Sequence, residues 1–558
     1  MKVCIAEKPS VAGEIAKIIG ANSRKKGYYE GNGYQVTWTF GHLCTLNEPG
    51  DYDECYRKWN LYALPIQPKK FQIKVIKDSG VQNQFNTIKS LVEKATQIIN
   101  CGDAGQEGEL IQRWVLQHAG CKVPVKRLWI SSLTEEAIKN GFKNLMEGSD
   151  FDALFEAGKS RAISDWLYGI NATRLYTLKF GKNKQVLSVG RVQTPTLAMI
   201  VKRHFDIKNF VPNLYFEIKT EYKNATFTYE KGKIEQKTKA DELLAHIQKH
   251  PISITDVITK SGKEHPPNLF DLTSLQVEGN KKLGLSAEQT LNTVQSLYEK
   301  KLVSYPRVDT VYLPKDQYPK IKGILKGLFM YKNLTKPILQ KPIKKSKKVF
   351  NDNKVTDHHA IIPTGVNASN VSGNEAAVYD IISRRFIAAF YPECRVSNTT
   401  VNAKIDTFKF KATGKQILNQ GWRIVYQSQQ ATSKEDKILP HFEKDETGNH
   451  KPSIGTKKTS PPKPYTEATL LRAMETAGKE VENEELKILM KENGIGRPST
   501  RANIIETLFR RNYIEKKKKT ILPTEIGIKL IQLIDNPTLK SPRLTGQWEK
   551  KMKDIEAG

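Results

Sequence analysis

Over its first 150 residues the chain switches repeatedly between two hydrophobic periods. KVCIA (2–6), YQVTWTF (34–40), FQIKVI (71–76) and TQIIN (96–100) are short apolar runs of strand length. Between and after them, VAGEIAKII (11–19), FNTIKSLVEKA (85–95) and ELIQRWVLQHA (109–119) space their apolar residues three and four apart, as an amphipathic helix does. Helices that return the chain to the start of the next strand force neighbouring strands to run parallel and cover both faces of the sheet. The alternation therefore predicts an α/β layer with a largely parallel sheet over residues 1–150.

The pattern then changes. Residues 151–206 read as helical and mix aromatic with basic side chains. Period-two alternation follows in YFEIKTEY (215–222) and ATFTYEKGK (225–233), and a second patch, AKIDTFKFKATGKQ (403–416), could pair with the first as antiparallel strands. Residues 265–392, between the two patches, are mostly helical, so the chain leaves a β-rich unit and comes back to it. KPILQKPIKKSKK (336–348) and the Lys-, Ser-, Thr- and Pro-rich segment 427–463 read as flexible, solvated connections. At 558 residues several cores are needed, and three or four units are expected.

Charge narrows the function. The chain has 89 Lys+Arg against 59 Asp+Glu, a formal net charge of +30, which calls for a polyanionic partner such as nucleic acid. Neutralising about six phosphates would give log affinity a slope of roughly −5 against log salt. Six scattered cysteines with no C-x-x-C pair argue against a disulfide framework or a zinc ribbon. MKVCIAEKPS places charge where a leader would need an apolar run, and no stretch reaches the ~20 apolar residues of a membrane span. The expectation is a soluble cytoplasmic protein without a membrane partner.

Two glycine-containing stretches are decoys. GKS (158–160) lacks the earlier glycine of a phosphate-cradling loop, since Ala153 stands there, and GIGRPST (494–500) follows no strand. CGDAGQEGE (101–109) is more informative, because it joins a predicted strand end to a helix start, where α/β sheets place their ligands. Asp103 and Glu107 could hold Mg²⁺, or simply occupy a helix's first turn for the sake of its dipole. Glu7, ending the first strand, would bring a third carboxylate to the same edge. In SYPRVDT (304–310), Tyr305 is a candidate nucleophile if a cation such as Arg307 offsets its high pKa, and a packed tyrosine otherwise. LSVGRVQTPTL (187–197) is rich in phosphate-binding groups, or is a polar helix cap. In DHHAIIPT (357–364), His358 could donate to a phosphate, or be structural.

In order and in combination, these stretches resemble the type IA DNA topoisomerases, most closely the bacterial topoisomerase III branch. The resemblance runs through IAEKPSVA, GHL, KWNLYALPI, DAGQEGE, SDWLYGINATRLYT, SVGRVQTPTL, DLTSLQ, YEKKLVSYPRVDT, DHHAIIPT, PPKPYTEATLLRAME, GIGRPSTRANIIETLFRRNYI and SPRLTGQWEKKMKDI, and so covers essentially the whole chain. It implies a Toprim domain at 1–150 and a helical DNA-binding gate from 151–206 and 461–558. It further implies a β-rich arch from 207–264 and 393–426, a helical domain at 265–392 carrying the nucleophile, and a linker at 427–460, the whole forming a toroid. The implied reaction is ATP-independent: one strand is cut through a 5′-phosphotyrosine link, another is passed, and the cut is resealed, relaxing negative supercoils and decatenating DNA. Carried over by residue, Tyr305 is the nucleophile and Arg307 binds its phosphate. Glu7 is a metal ligand or the acid for the leaving oxygen, Lys8 is a second cation and His358 a donor. Asp103 and Glu107 complete the Mg²⁺ set. Trp59, Trp166, Arg174 and the run Ser188, Val189, Gly190, Arg191, Val192 and Gln193 match DNA-contacting positions, with indoles stacking on unpaired bases. The expected partners are single-stranded DNA and negatively supercoiled or catenated duplex, and the expected state is a monomer.

The chain departs from the family pattern at Gly105, where a second aspartate is usual, at Gln106, where arginine is usual, and at Val308 in place of threonine. It stops at IEAG where many relatives continue, which leaves a shortened and a naturally compact chain both open. A catalytically weakened relative that clamps single strands is the rival reading. A Toprim nuclease or a tyrosine relaxase is disfavoured, because His358 and His359 lack a relaxase's spacer and a nuclease has no need of Tyr305.

Overall fold

The computed structural model describes residues 1–558 except 131–132, 134, 183–184, 356–357, 430–436 and 478–493. The first unit contains β1 (Lys2–Ala6), α1 (Pro9–Ile19), β2 (Ser23–Lys25), β3 (Tyr28–Gly31), β4 (Tyr34–Trp38), β5 (Cys44–Leu46), α2 (Pro49–Tyr52) and β6 (Ile73–Val75). It continues through α3 (Ser79–Glu93), β7 (Gln97–Cys101), α4 (Gln106–His118), β8 (Val125–Arg127), α5 (Glu135–Lys143) and β9 (Met146–Glu147). Seven strands pair in the order β2-β3-β4-β1-β7-β8-β9. Only β4, β1, β7 and β8 are mutually parallel, and both margins are antiparallel, so the sheet is mixed rather than largely parallel.

FQIKVI does not enter this sheet: β6 pairs with β5 in a separate two-stranded ribbon. A central parallel strand must be apolar on both faces, and Lys74 in the middle of β6 forbids that. β1 meets the requirement. Cys4 and Ala6 pack with α1 on one face, while Val3 and Ile5 pack with Leu110, Trp114 and Val115 of α4 on the other.

Beyond it run α6 (Asp152–Phe180) and α7 (Gln193–Lys208), then β10 (Leu214–Tyr222), β11 (Ala225–Tyr229), α8 (Lys237–Ile247) and β12 (Ile252–Glu264). The chain next forms α9 (Leu272–Leu283), α10 (Ala287–Glu299), α11 (Tyr318–Gly327), α12 (Lys332–Leu339) and α13 (Gly373–Ala388), and returns in β13 (Cys394–Ile405), β14 (Phe408–Asn419), β15 (Thr447–Gly448) and β16 (Lys451–Lys458). It ends in α14 (Glu467–Thr476), α15 (Pro498–Arg510), the hairpin β17 (Ile514–Lys517) and β18 (Thr520–Pro523), then α16 (Glu525–Leu533), α17 (Pro537–Lys540) and α18 (Pro542–Glu556).

The two period-two patches do meet, in a sheet ordered β15-β12-β13-β14-β11-β10-β16. α8, which the strand pattern concealed, lies among the 207–264 strands and buries Ala240, Leu243 and Ile247 against them. The expected linker 427–460 is in part structural. Residues 451–458 form β16, the edge strand antiparallel to β10, and only 430–436 of that segment lie outside the described residues. Its proline and lysines are what a protected sheet edge carries, which is why it reads as linker. Likewise, the polar stretch 336–348 begins inside α12. The core that holds Ala6 and α1 runs on without a break into Leu302, Tyr305, Ile361 and Phe386, so the first unit and the Tyr305 unit close on each other through apolar contact.

Candidate active site

The turn Gly102–Gly105 is fixed by its glycines and by one buried arginine. Gly105 caps α4 at φ 152° and ψ 170°, a region that essentially only glycine occupies. A Cβ on Gly108 would lie 2.1 Å from the Asp103 carbonyl oxygen. Arg127, fully buried, donates to the carbonyls of Gly102 (2.7 Å) and Asp103 (2.8 Å) and to Glu109 Oε2 (2.9 Å). Glu109, also fully buried, accepts further from Asn100 (3.1 Å) and Arg113 (2.8 Å). The third acid of CGDAGQEGE is therefore a structural clamp that sets the turn presenting Asp103.

Parallel pairing of Ala6 with Cys101 puts Glu7 and Asp103 at one sheet edge. Against that edge the Tyr305 unit delivers its phenol: Tyr305 Oη donates to Asp103 Oδ2 at 2.8 Å. His358 lies over the phenol ring with centroids 4.3 Å apart, and Tyr298 meets it edge-on at 5.4 Å. Arg307 lines the same cavity, a space of about 2040 Å³ shared by Glu7, Asp103, Tyr305 and His358. Burial, and then the Asp103 charge, push the phenol pKa well above its ordinary value, with Arg307 pulling the other way. Glu7 is pushed up to about 7 by burial and by Asp103, against Arg307 and Lys8. His358 is held down at about 4 chiefly by burial, despite Asp103 and the Ala104 backbone, and neither ring nitrogen makes a hydrogen bond of ordinary geometry. It is a neutral imidazole with one N–H to offer.

Glu107 does not join Glu7 and Asp103 in a three-ligand cluster. It accepts from His42 Nε2 at 2.6 Å, and that bond, above all, lowers its pKa. Among the described residues, the one group of three metal-ligating side chains with mutually close donor atoms is elsewhere, at His246, His250 and Asp406. Glu7 and Asp103 nevertheless fit a hard cation: their donors are carboxylate oxygens, and their mutual repulsion, visible in the raised Glu7, is what a divalent ion relieves.

The predicted DNA-contacting residues line the same cavity with unequal freedom. Trp59 is 41% exposed, with the Arg174 guanidinium 5.2 Å from its ring centroid, and Arg174 itself donates to the Tyr56 carbonyl at 2.7 Å. Val189 is buried, so it can offer only its backbone. Gly190 N–H donates to the Thr194 hydroxyl, and the Ser188 hydroxyl and Gln193 carbonyl both receive Arg511. Two of these residues already have partners within the chain. Trp166 is wedged edge-on between Tyr52 and Phe71 and donates to the Asn47 carbonyl, so its ring is packed rather than open for base stacking. Arg191 is buried and paired with Asp165 (2.8 Å) and Glu549 (3.2 Å), so its charge is already balanced. Lys8 does not line the cavity. It pairs with Glu299 of the Tyr305 unit at 3.5 Å.

Residues 149–558 match the DNA topoisomerase family and residues 2–133 the Toprim domain. The whole chain aligns at 42% identity with 78% of a DNA topoisomerase 3 from Bacillus cereus. The chain belongs to the type IA DNA topoisomerases. DNA topoisomerase 3 of Bacillus subtilis (strain 168) aligns at 40% identity, again over the whole chain and 78% of the relative. In fold, the chain is similar to full-length topoisomerase I from Thermotoga maritima, with a TM-score of 0.73 at 24% identity, covering all of this chain and 87% of that one. Its toroidal multi-domain architecture is thus the one expected, and the Toprim domain is a metal-binding domain.

Within this type IA topoisomerase, residue-level reading missed several side chains around the cleft: His42 beside Glu107, Arg161 and Glu549 beside Arg191, Arg127 behind the turn, and Arg511 on Ser188 and Gln193. His42 and Arg511 sit in GHL and GIGRPSTRANIIETLFRRNYI, stretches that carried the resemblance, so those motifs held the signal.

Proposed function

We propose that this topoisomerase cuts one DNA strand with Tyr305, holds the 5′ phosphate on the phenol, passes a second strand and reseals the first, relaxing negative supercoils and decatenating DNA without ATP. The reading is carried by the hydrogen bond from Tyr305 Oη to Asp103 Oδ2, which joins a phenol to a carboxylate 202 residues away across two units. In this closed arrangement the nucleophile is shielded, and a scissile phosphate enters only when the pair separates. Oη then attacks phosphorus, its proton passes to a neighbouring base such as Asp103, and the P–O3′ bond breaks. Glu7, in its protonated form, is the acid for the departing 3′ oxygen, and in its ionised form a metal ligand. Resealing reverses each transfer, and the phosphotyrosine ester conserves the energy of the bond.

Arg307 neutralises the phosphate, and His358 donates its single N–H to a phosphate oxygen. Lys8 becomes available when the Lys8–Glu299 pair opens with the gate. Asp103 would hold Mg²⁺, joined by Glu7 where Glu7 is ionised and not serving as the acid, and by Glu107 if it leaves His42, and the ion would supply electrostatic neutralisation of the phosphate. Trp59, Arg174 and the Ser188–Gln193 loop guide a single strand to the site. The protein works as a cytoplasmic monomer. Among the described residues, no helix is long and apolar enough to cross a membrane.

The test uses labelled single-stranded DNA with Mg²⁺ and no ATP, followed by denaturation. Wild type should give a covalent adduct, and Tyr305→Phe should give none while still binding DNA. Binding without an adduct in wild type, even at high Mg²⁺, would instead support a single-strand clamp, for which Gly105 is the motivating departure.

A further inference from the structure

The arch holds a cluster that cleavage does not use. His246 lies in the last turn of α8, and the chain beyond tightens, with Lys249 N–H on the His246 carbonyl and His250 N–H on the Ile247 carbonyl. This brings the His250 ring to a 4.7 Å centroid distance from His246, with 32° between their planes. Asp406 faces them from the two-residue turn between β13 and β14, held at φ 53°. That left-handed conformation is one aspartate tolerates, so turn geometry fixes the carboxylate's position.

His246 Nε2 lies 2.9 Å from Asp406 Oδ2, and one donor atom from each of the three residues lies within 4.8 Å of the other two. The supports are ordered too. Phe408 packs edge-on against His246 at 5.4 Å. His450 Nε2 lies 3.0 Å from the His250 carbonyl, which only a protonated Nε2 can satisfy, and His450 Nδ1 then accepts from Thr220.

We propose that His246, His250 and Asp406 form a zinc-class divalent metal site that staples the end of α8 to the tip of the β13–β14 hairpin. A simple ion pair explains His246 and Asp406 but not why a second imidazole converges on them. Two imidazole nitrogens and one carboxylate oxygen, with solvent on the exposed side for a fourth position, are a borderline-soft set that suits Zn²⁺ or Co²⁺. Mg²⁺, which keeps its waters and selects oxygen, does not compete. For His246 to bind a metal through Nε2, the proton shared with Asp406 must leave that nitrogen, which in the neutral ring is a tautomer shift to Nδ1.

The full chain, carrying Cys55→Ser to remove the exposed thiol, is stripped with chelator and dialysed. It is then titrated with zinc chloride against a zinc indicator, and with cobalt(II) to read the visible bands of a tetrahedral ion. One equivalent should bind in excess Mg²⁺. His246→Ala and His250→Ala should each weaken binding by at least about tenfold, the lower end of what losing even an outer partner of a metal ligand costs. Asp406→Asn, which preserves the turn, should weaken it as well and alter the cobalt spectrum. Less than one equivalent bound, or one equivalent indifferent to both histidine substitutions, overturns the proposal.

Discussion

Glu549→Gln should destabilise the protein while strengthening its grip on DNA. Glu549, on α18, accepts both terminal nitrogens of Arg161 (2.6 and 2.7 Å) and one of Arg191 (3.2 Å). Arg161 in turn donates to Gln106, the residue after Gly105, so the carboxylate ties the last helix to the turn that presents Asp103. Burial pushes the Glu549 carboxyl up, but the Arg161 hydrogen bonds and the charges of Arg161, Arg191 and Arg497 prevail and hold it at about 2. Against an ordinary value of 4.5, that depression corresponds to ~3 kcal/mol. The glutamine keeps one acceptor oxygen, so the expected loss is ~2 kcal/mol.

Because the folded pKa lies below the unfolded one, the contribution is complete above about pH 4.5 and disappears as pH falls through about 2. Denaturant unfolding of wild type and variant should differ at pH 7, keep that difference to about pH 5, and converge in stronger acid. Meanwhile the cavity gains one positive charge, so single-strand affinity should rise and the salt slope steepen by up to about one. Coincident unfolding midpoints at pH 7, or a gap that widens in acid, would refute the reasoning.

Arg307→Ala should lower adduct formation by about a hundredfold or more, as loss of a transition-state donor does, with little change in strand binding measured by anisotropy. Gly105→Asp should not restore a second metal-binding carboxylate, because its φ of 152° makes any side chain strained by roughly 1–3 kcal/mol. Lower thermal stability with no gain in Mg²⁺ affinity is the expected result. Lys301 of the Tyr305 unit pairs with Glu14 on α1 across the closed interface, so Lys301→Glu should alter relaxation rate a few-fold. Adding Glu14→Lys should return it toward wild type, and failure of the double reversal would remove this pair from gate control.

What could be read in the sequence follows how local its cause is. Glu7 and Asp103 were legible as neighbours because each ends a buried strand, and two adjacent parallel strands put their carboxyl ends on one edge. Tyr305 and Arg307 carried only a weak local signal, and it was the order of motifs along the chain that made them candidates. β16 was hidden because an edge strand protects itself with the same lysine and proline that mark a loop. The partners of Arg191 and Arg161 were hidden for another reason: Glu549 lies 358 and 388 residues away, and no period or spacing links helices packed only in the tertiary fold. The helix position of Glu107 was legible, but its hydrogen bond to His42 was not, because that partner comes from another loop.

On the proposed mechanism, one hydrogen bond would serve both protection and catalysis. Tyr305 is only 7% exposed and lies in the continuous core that joins α1 to the Tyr305 unit, so little of the phenol faces the cavity. Its oxygen is held by the same Asp103 that belongs to the carboxylate edge, so separation of the units, as proposed, would free the phenol and the Glu7–Asp103 pair together. With Lys8 paired to Glu299 and Lys301 to Glu14 across that interface, the same separation would also break two ion pairs. On that mechanism, opening would exchange the Tyr305–Asp103 bond and these ion pairs for contacts to a DNA backbone. Strand binding would then supply part of the free energy that holds the units apart.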